Sequence, residues 1–187
     1  TNNYGVAILT VGGDWILEGE NLAGEVIEIA NTRTESYGAG GGYKPEKVEV
    51  SDIHQDVLRR DFSANTLLWR LHDLADGPDK AEILDLTGKG LKDIQDGVLR
   101  TPKDPDVTFS DDPSRILRSV KFLIKYGFRI PADMEASIHR NVDKVRNIPS
   151  GHLSNMLSET SLRAPTATKA LAELEKRGLL DVVRAVA

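Results

Sequence analysis

The period of the hydrophobic pattern changes along this chain, and that change bounds the folds open to it. Near the start the period is two. Glu25-Val26-Ile27-Glu28-Ile29-Ala30 alternates polar and apolar side chains, as a half-buried strand does. Tyr4 to Val11 is an apolar run rich in β-branched residues, Gly12-Gly13-Asp14 reads as a turn, and Trp15-Ile16-Leu17 is short and apolar. Three strands joined this tightly predict an antiparallel meander whose apolar face something else must cover. Ser36 to Tyr43 then holds four glycines and reads as a flexible loop, without the Gly-x-x-x-x-Gly-Lys-Ser/Thr pattern of a phosphate-binding P-loop.

Helical sequence dominates afterwards. Ser51 suits the N-cap of a helix over Asp52 to His72, Leu91 to Gln95 predicts a helical turn ended near Gly97, and Pro102–Pro105 reads as a loop. The strongest helix begins near Asp111-Asp112-Pro113, with acids at its positive end and proline at its first position. At 100° per residue, Ile116, Leu117, Val120, Leu123, Ile124 and Phe128 fall within an arc of about 140°. Arg115, Arg118, Lys121, Lys125 and Arg129 occupy the complementary arc, a basic stripe opposite a core face. Phe122 lies on the basic side, to pack between long side chains or meet a ligand. Further helices are predicted over 132–146, 150–160, 164–176 and 179–187, with Gly178 as a break. The fold class is therefore α+β, with a mixed first region and an all-helical second one.

Composition closes off several classes. At 40% hydrophobic and 28% charged, 187 residues support a cored domain or two small ones, not a disordered chain. No apolar run approaches the roughly 18 residues that span a bilayer, and no membrane partner is expected. The absence of cysteine removes disulfides and thiolate chemistry and points to the cytoplasm; four scattered histidines do not resemble a zinc site. The net charge of −5 is unevenly spread: residues 1–58 carry 10 acids and 3 bases, and the remainder 19 acids and 21 bases. A duplex binder is usually more basic overall, whereas a local basic groove in the second part fits the pattern.

Two clusters carry chemistry. In Arg59-Arg60-Asp61-Phe62 with Asn65, a helix puts Asp61 and Asn65 on one face and keeps the two arginines from sharing a partner. One arginine can then clamp phosphate while Asp61 and Asn65 hold sugar, base or metal-bound water; a surface ion network around a buried Phe62 is the alternative. In Asp111, Asp112, Arg115 and Arg118, both acids stand at helical spacing from Arg115 and can fix its fork to read a base edge or grip phosphate. Ordinary charging of a helix start explains the same residues. A third segment, Pro165-Thr166-Ala167-Thr168-Lys169 to Leu180, has the look of a winged-helix recognition helix for DNA, or of plain helical packing.

Three ordered elements resemble one family. Arg59-Arg60-Asp61-Phe62-Ser63-Ala64-Asn65, then Asp85-Leu86-Thr87-Gly88-Lys89-Gly90-Leu91-Lys92-Asp93-Ile94 with Gly97 to Thr101, then Phe109-Ser110-Asp111-Asp112-Pro113-Ser114-Arg115 are similar to motifs of class II tRNA nucleotidyltransferases (CCA-adding enzymes) and bacterial poly(A) polymerases. The resemblance implies a partial nucleotidyltransferase head sheet with helices over 1–110, followed by a helical neck over 111–187. It implies that Arg60, Asp61 and Asn65 contact triphosphate or ribose. Asp112 and Arg115, assisted by Asp111, would form the protein template for the incoming base, with Arg118 bracing it or meeting phosphate. Gly88, Lys89 and Gly90 would be the hinge. CTP or ATP would be the substrate nucleotide, Mg2+ the cofactor, and RNA, with the tRNA acceptor end foremost, the partner.

The family's Asp-x-Asp metal pair has no counterpart here, since Gly12-Gly13 is followed by Trp15. Glu28 or Glu35 would at most add an accessory carboxylate. The chain, which opens without Met, is thus read as a piece of a larger protein, a subunit whose metal-binding segment lies on a second chain, or a degenerate relative. It is expected to be inactive alone. A non-catalytic nucleotide- or RNA-binding protein is the alternative.

Overall fold

The strand segments near the start form two separate two-stranded antiparallel ladders, not a three-stranded meander. The computed structural model describes residues 6–13, 16–17, 20–38, 42–77, 79–159 and 167–186. Trp15, the middle of the glycine-rich run and Pro165-Thr166 lie outside them. β1 (Val6–Thr10) runs out, β2 (Ile16–Leu17) pairs with β3 (Glu20–Asn21), and β4 (Val26–Ala30) returns with Val6 opposite Ala30 and Thr10 opposite Val26. Val11 prolongs the ladder: its N–H donates to Glu25 and its carbonyl accepts from Gly24. Among the described residues no third strand joins either ladder. Neighbouring residues point to opposite faces. Since Ile8 is 61% exposed and Leu9 51%, both faces are bare.

A second hairpin follows, which period-two reading passed over: β5 (Arg33–Ser36) pairs with β6 (Lys47–Val50), Arg33 opposite Val50. Its connection carries the glycine-rich run, and the far end of that run is anchored. Gly42 N–H donates to the Asp111 carbonyl, and the Tyr43 ring lies 5.0 Å from that of His152.

The predicted helix over 52–72 is far shorter. α1 (Ile53–Leu58) is capped by Asp52, not Ser51, and stops where Arg59 and Arg60 fold back onto it. Phe62 then takes an extended conformation that drives its ring into the core, and Ser63–Asn65 forms one 3-10 turn. Leu68 bridges to Leu84 in place of more helix. α2 (Gly90–Asp96) ends on left-handed Gly97, as its sequence predicts.

The segment read as a Pro102–Pro105 loop ends in a helix: Asp104 caps α3 (Pro105–Asp111), with Pro105 at its first position. Asp111 is consequently the last residue of α3, not the start of the next helix. α4 (Ser114–Tyr126) buries Ile116, Leu117 and Val120 as expected. It is followed by α5 (Ala132–Asn141), a 3-10 stretch over Val142–Asn147, α6 (Ser150–Glu159), α7 (Ala167–Lys176) and α8 (Leu179–Val186). α7 packs inward through Ala170 and Leu174 and leads directly into α8. Among the described residues no hairpin wing follows it.

One core unites these parts. Phe62, Leu99 and Phe109 pack with Ile116, Leu117, Met134, Ile138, Leu153 and Leu174. The backbone also joins the two regions, because Leu99 N–H donates to Arg129 O and Arg129 N–H to Gly97 O. Phe122 packs at this junction, edge-on to Phe62 at 5.1 Å and stacked on Phe128 at 6.0 Å, while it lines a cavity with Arg118, Lys121 and Lys125 on the basic side of α4.

Two substitutions test this account. Phe62→Ala removes a fully buried ring, and urea denaturation is expected to show a loss of about 3–5 kcal/mol. Gly90→Ala brings a Cβ within 2.7 Å of the Ser63 carbonyl and 2.8 Å of Leu67, and is expected to cost about 1–3 kcal/mol in the same measurement.

Candidate functional site

Where β5, the segment after α1 and the start of α4 converge, they enclose a cavity of about 590 Å3. Its wall is built from charge. Arg33, Arg59, Arg60, Arg115 and Arg118 face it together with Glu35, Asp61 and Asp112. Cations outnumber anions here although the chain as a whole carries a net charge of −5.

Behind the wall sits Asp56, 3% exposed. Its Oδ1 accepts from the Arg33 N–H at 3.1 Å and from Arg59 Nη2 at 2.8 Å, and its Oδ2 accepts from Arg60 Nη2 at 3.0 Å. Adjacent arginines do therefore share a partner. α1 has ended at Leu58, so they are not separated by a helical step and can take one oxygen each. Burial alone would raise the Asp56 carboxyl, but hydrogen bonds from Arg59, Arg60 and the Arg33 backbone outweigh it and hold the group below the usual carboxylate range. Glu35 supports the same side: it accepts from Arg33, from Arg59 at 3.0 Å and from the Tyr37 hydroxyl at 2.8 Å. Burial pushes the Tyr37 phenol up, so it stays a neutral donor.

Asp61 is held by three neighbours. Oδ1 accepts from the Phe62 N–H and from Asn65 Nδ2 at 3.0 Å, and Oδ2 pairs with Arg118 Nη2 at 2.7 Å. The contact with Asn65 follows from an extended residue and a 3-10 turn, not from the helix face the spacing suggested. Across the cavity, Asp112 lies 3.7 Å from Arg115 Nε, and its carboxyl is raised by burial in spite of the Ser114 N–H and the two arginines nearby.

The structure thus brings Arg60, Asp61, Asn65, Asp112, Arg115 and Arg118 to one cavity. It leaves Asp111 out. As the end of α3, that carboxylate lies 3.9 Å from Lys103, because the break between α3 and α4 removes the helical spacing to Arg115. Arg115 is also not on an exposed stripe. It is 5% exposed and donates to the carbonyls of Thr108 and Arg59, over the face of Tyr37. Glu28 stands exposed on β4, outside the cavity lining. Gly88 is left-handed at φ 64°, Lys89 precedes α2 and Gly90 opens it. Sequence reasoning missed Asp56, Arg33 and Tyr37, and it read Glu35 only as an accessory metal carboxylate, whereas Glu35 accepts from Arg33, Arg59 and Tyr37. Long polar side chains at every second position of one strand were the available signal for that series.

Residues 9–100 match the family described as the poly A polymerase head domain. The mitochondrial CCA tRNA nucleotidyltransferase of Saccharomyces cerevisiae is 36% identical over 117 residues, 63% of this chain and 20% of its own length. Among solved structures, an apo CCA-adding enzyme superposes with a TM-score of 0.76 at 26% identity, over 97% of this chain and 39% of that one. A tRNA nucleotidyltransferase complexed with a primer tRNA and an incoming ATP analog superposes at 0.72 with 25% identity, over 98% and 45%. The chain spans about a fifth of the yeast relative.

The Asp56 cluster generates a pH prediction. A depressed carboxyl contributes stability that is present above its unfolded value, near pH 4, and lost as pH falls through the folded value. Asp56→Asn is expected to lower stability at pH 7 by about 2 kcal/mol. It should also flatten the acid limb below about pH 4 when urea midpoints are plotted against pH.

Proposed function

The chain belongs to the CCA-adding enzyme and poly(A) polymerase family of nucleotidyltransferases through its head domain, and from that membership we propose that its charged cavity holds CTP or ATP for transfer to an RNA 3′ end. The observation that carries the reading is convergence. Arg60, Asp61 and Asn65 share one cavity with Asp112, Arg115 and Arg118, although about 50 residues separate the two groups. Arginine forks suit the oxygens of a triphosphate. Asp61 and Asn65 suit the ribose. Asp112 and Arg115 pair an acceptor with a donor, as recognition of a cytosine or adenine edge requires. In the intact reaction the RNA 3′-oxygen bonds to the α-phosphorus as pyrophosphate leaves. tRNA is the proposed RNA, supported by the relative solved with a primer tRNA. The turn Gly88-Lys89-Gly90 is the proposed hinge, and the cytoplasm the proposed compartment.

Homologous enzymes use Mg2+ with these nucleotides. The carboxylates described here do not fit such a centre. Among the described residues no group of three or more histidine or acidic side chains is placed to hold a metal ion. Glu35 and Asp61 already spend their oxygens on arginine, tyrosine and amide partners. We therefore assign the paired aspartates to another segment or chain, which the bare β1–β4 ribbon is suited to receive. The same carboxylate commitments favour, as a second reading, a nucleotide-binding protein without chemistry of its own.

Isothermal titration of the 187-residue chain with CTP and with ATP tests the proposal. Binding is expected for at least one nucleotide, weakened about tenfold or more by Arg60→Ala or Asp112→Ala. Arg140→Ala, whose side chain pairs with Asp106 away from the cavity, is expected to leave it unchanged. Heat from neither nucleotide overturns the reading. A second measurement is incorporation of labelled nucleotide into RNA: none is expected from this chain alone, and turnover would refute the assignment of the paired aspartates elsewhere.

A further inference from the structure

Tyr37 lines the nucleotide cavity yet brings no charge to it. The contacts around it form a closed circuit. Its hydroxyl donates to Glu35 Oε2 at 2.8 Å, and Glu35 Oε1 accepts from Arg59 Nη1 at 3.0 Å. The Arg59 carbonyl accepts from Arg115 Nη2 at 2.8 Å, and the Arg115 guanidinium returns over the Tyr37 ring, 5.9 Å from its centre. Four residues from the exit of β5, the end of α1 and the start of α4 thereby hold one another.

Arg115 needs more than hydrogen bonds to serve a base. Its two Nη atoms donate to the carbonyls of Thr108 and Arg59, and its Nε stands 3.7 Å from Asp112, beyond hydrogen-bond length. Two such bonds fix the line between their ends and leave the guanidinium plane able to tilt about it. Hydrogen bonds to a base edge lie close to the base plane, so a tilted fork presents its donors badly. An aromatic face against the guanidinium removes that freedom, and a cation is drawn to the ring most strongly where water is excluded. Arg115 meets that condition at 5% exposed.

We infer that Tyr37 is a positioning residue for base selection: its ring sets the plane of Arg115, and its hydroxyl pins that ring to the carboxylate that also holds Arg59. The inference rests on the nucleotide reading of the cavity, in which Arg115 and Asp112 meet the base edge. Arg59 stands beside Arg60 on the side suited to the triphosphate, so one circuit orders both ends of the ligand's seat. Base preference and phosphate affinity should then come apart when the ring alone is removed.

Isothermal titration of the 187-residue chain with CTP against UTP, with ATP against GTP and with inorganic tripolyphosphate reads the two separately. Uracil and guanine reverse the donor and acceptor order that cytosine and adenine present on their pairing edges. The unaltered chain is expected to prefer CTP or ATP over its counterpart by about tenfold or more. Tyr37→Leu is expected to reduce that preference about tenfold, with tripolyphosphate affinity kept within about twofold. Tyr37→Phe, which keeps the ring, is expected to retain the preference within about threefold. A preference indifferent to Tyr37→Leu overturns the inference, and so does loss of tripolyphosphate binding alongside it, the mark of a wall that has collapsed. Equal affinity for both members of each pair in the unaltered chain also overturns it, while nucleotide binding itself stands. A chain that binds no nucleotide at all takes down the reading of the cavity and the inference with it.

Discussion

Asp56 is a carboxylate withdrawn from water, with both oxygens engaged, and the geometry around it decides what the cavity can be. One side chain ties a backbone N–H of β5 to two consecutive arginines at the end of α1. That attachment stops the helix, turns Arg59 and Arg60 toward the cavity and leaves Phe62 free to enter the core. Removing one partner of such a cluster strands the others, which costs more than any single hydrogen bond contributes. Glu35 repeats the arrangement on the same wall through Arg33, Arg59 and Tyr37. The arginines are thereby oriented before any ligand arrives, so binding spends little on ordering them.

This design reconciles an acidic chain with an anion-seeking cavity. Acidic residues are numerous in the first part, but those nearest the cavity are spent on holding guanidinium groups in place. What faces inward retains an excess of positive charge. Asp61 and Asp112 are the acids that stay at the surface of the cavity, one tied to Arg118 and the other beside Arg115. The fold-level likeness to solved CCA-adding enzymes extends over nearly the whole chain, although the family match is confined to residues 9–100. Helical packing conserves shape with less demand on residue identity than a charged cavity makes.

Much of this was legible in the residues, and the remainder failed for identifiable reasons. Ile116, Leu117 and Val120 declared the buried face of α4 through their spacing, and Gly97 and Gly178 declared helix ends through their freedom at positive φ. The convergence of Arg60, Asp61 and Asn65 with Asp112 and Arg115 was legible only through three ordered motifs, because periodicity carries no information about contacts fifty residues apart. Helix spacing misled wherever tertiary bonds cut a helix short. α1 ended six residues after Asp52, and Asp111 closed one helix where the sequence suggested the start of another. Arg115 looked solvent-facing by angle, yet the carbonyls of Thr108 and Arg59 bury it. Arg33 and Tyr37 went unread, and the role of Glu35 in holding arginines with them, because polar alternation is a weaker strand signal than apolar alternation.

The ribbon of β1 and β4 has a consequence for how the chain behaves in a tube. Among the described residues no further strand pairs with it, apolar side chains stand exposed on both of its surfaces around Glu28, and no proline or lysine along Val6–Thr10 or Val26–Ala30 blunts it. Such an edge recruits whatever strand comes within reach, including the same strand of another molecule. Concentrating the isolated polypeptide therefore favours stacking of one ribbon on the next, and conditions that keep it monodisperse are those that cap that margin.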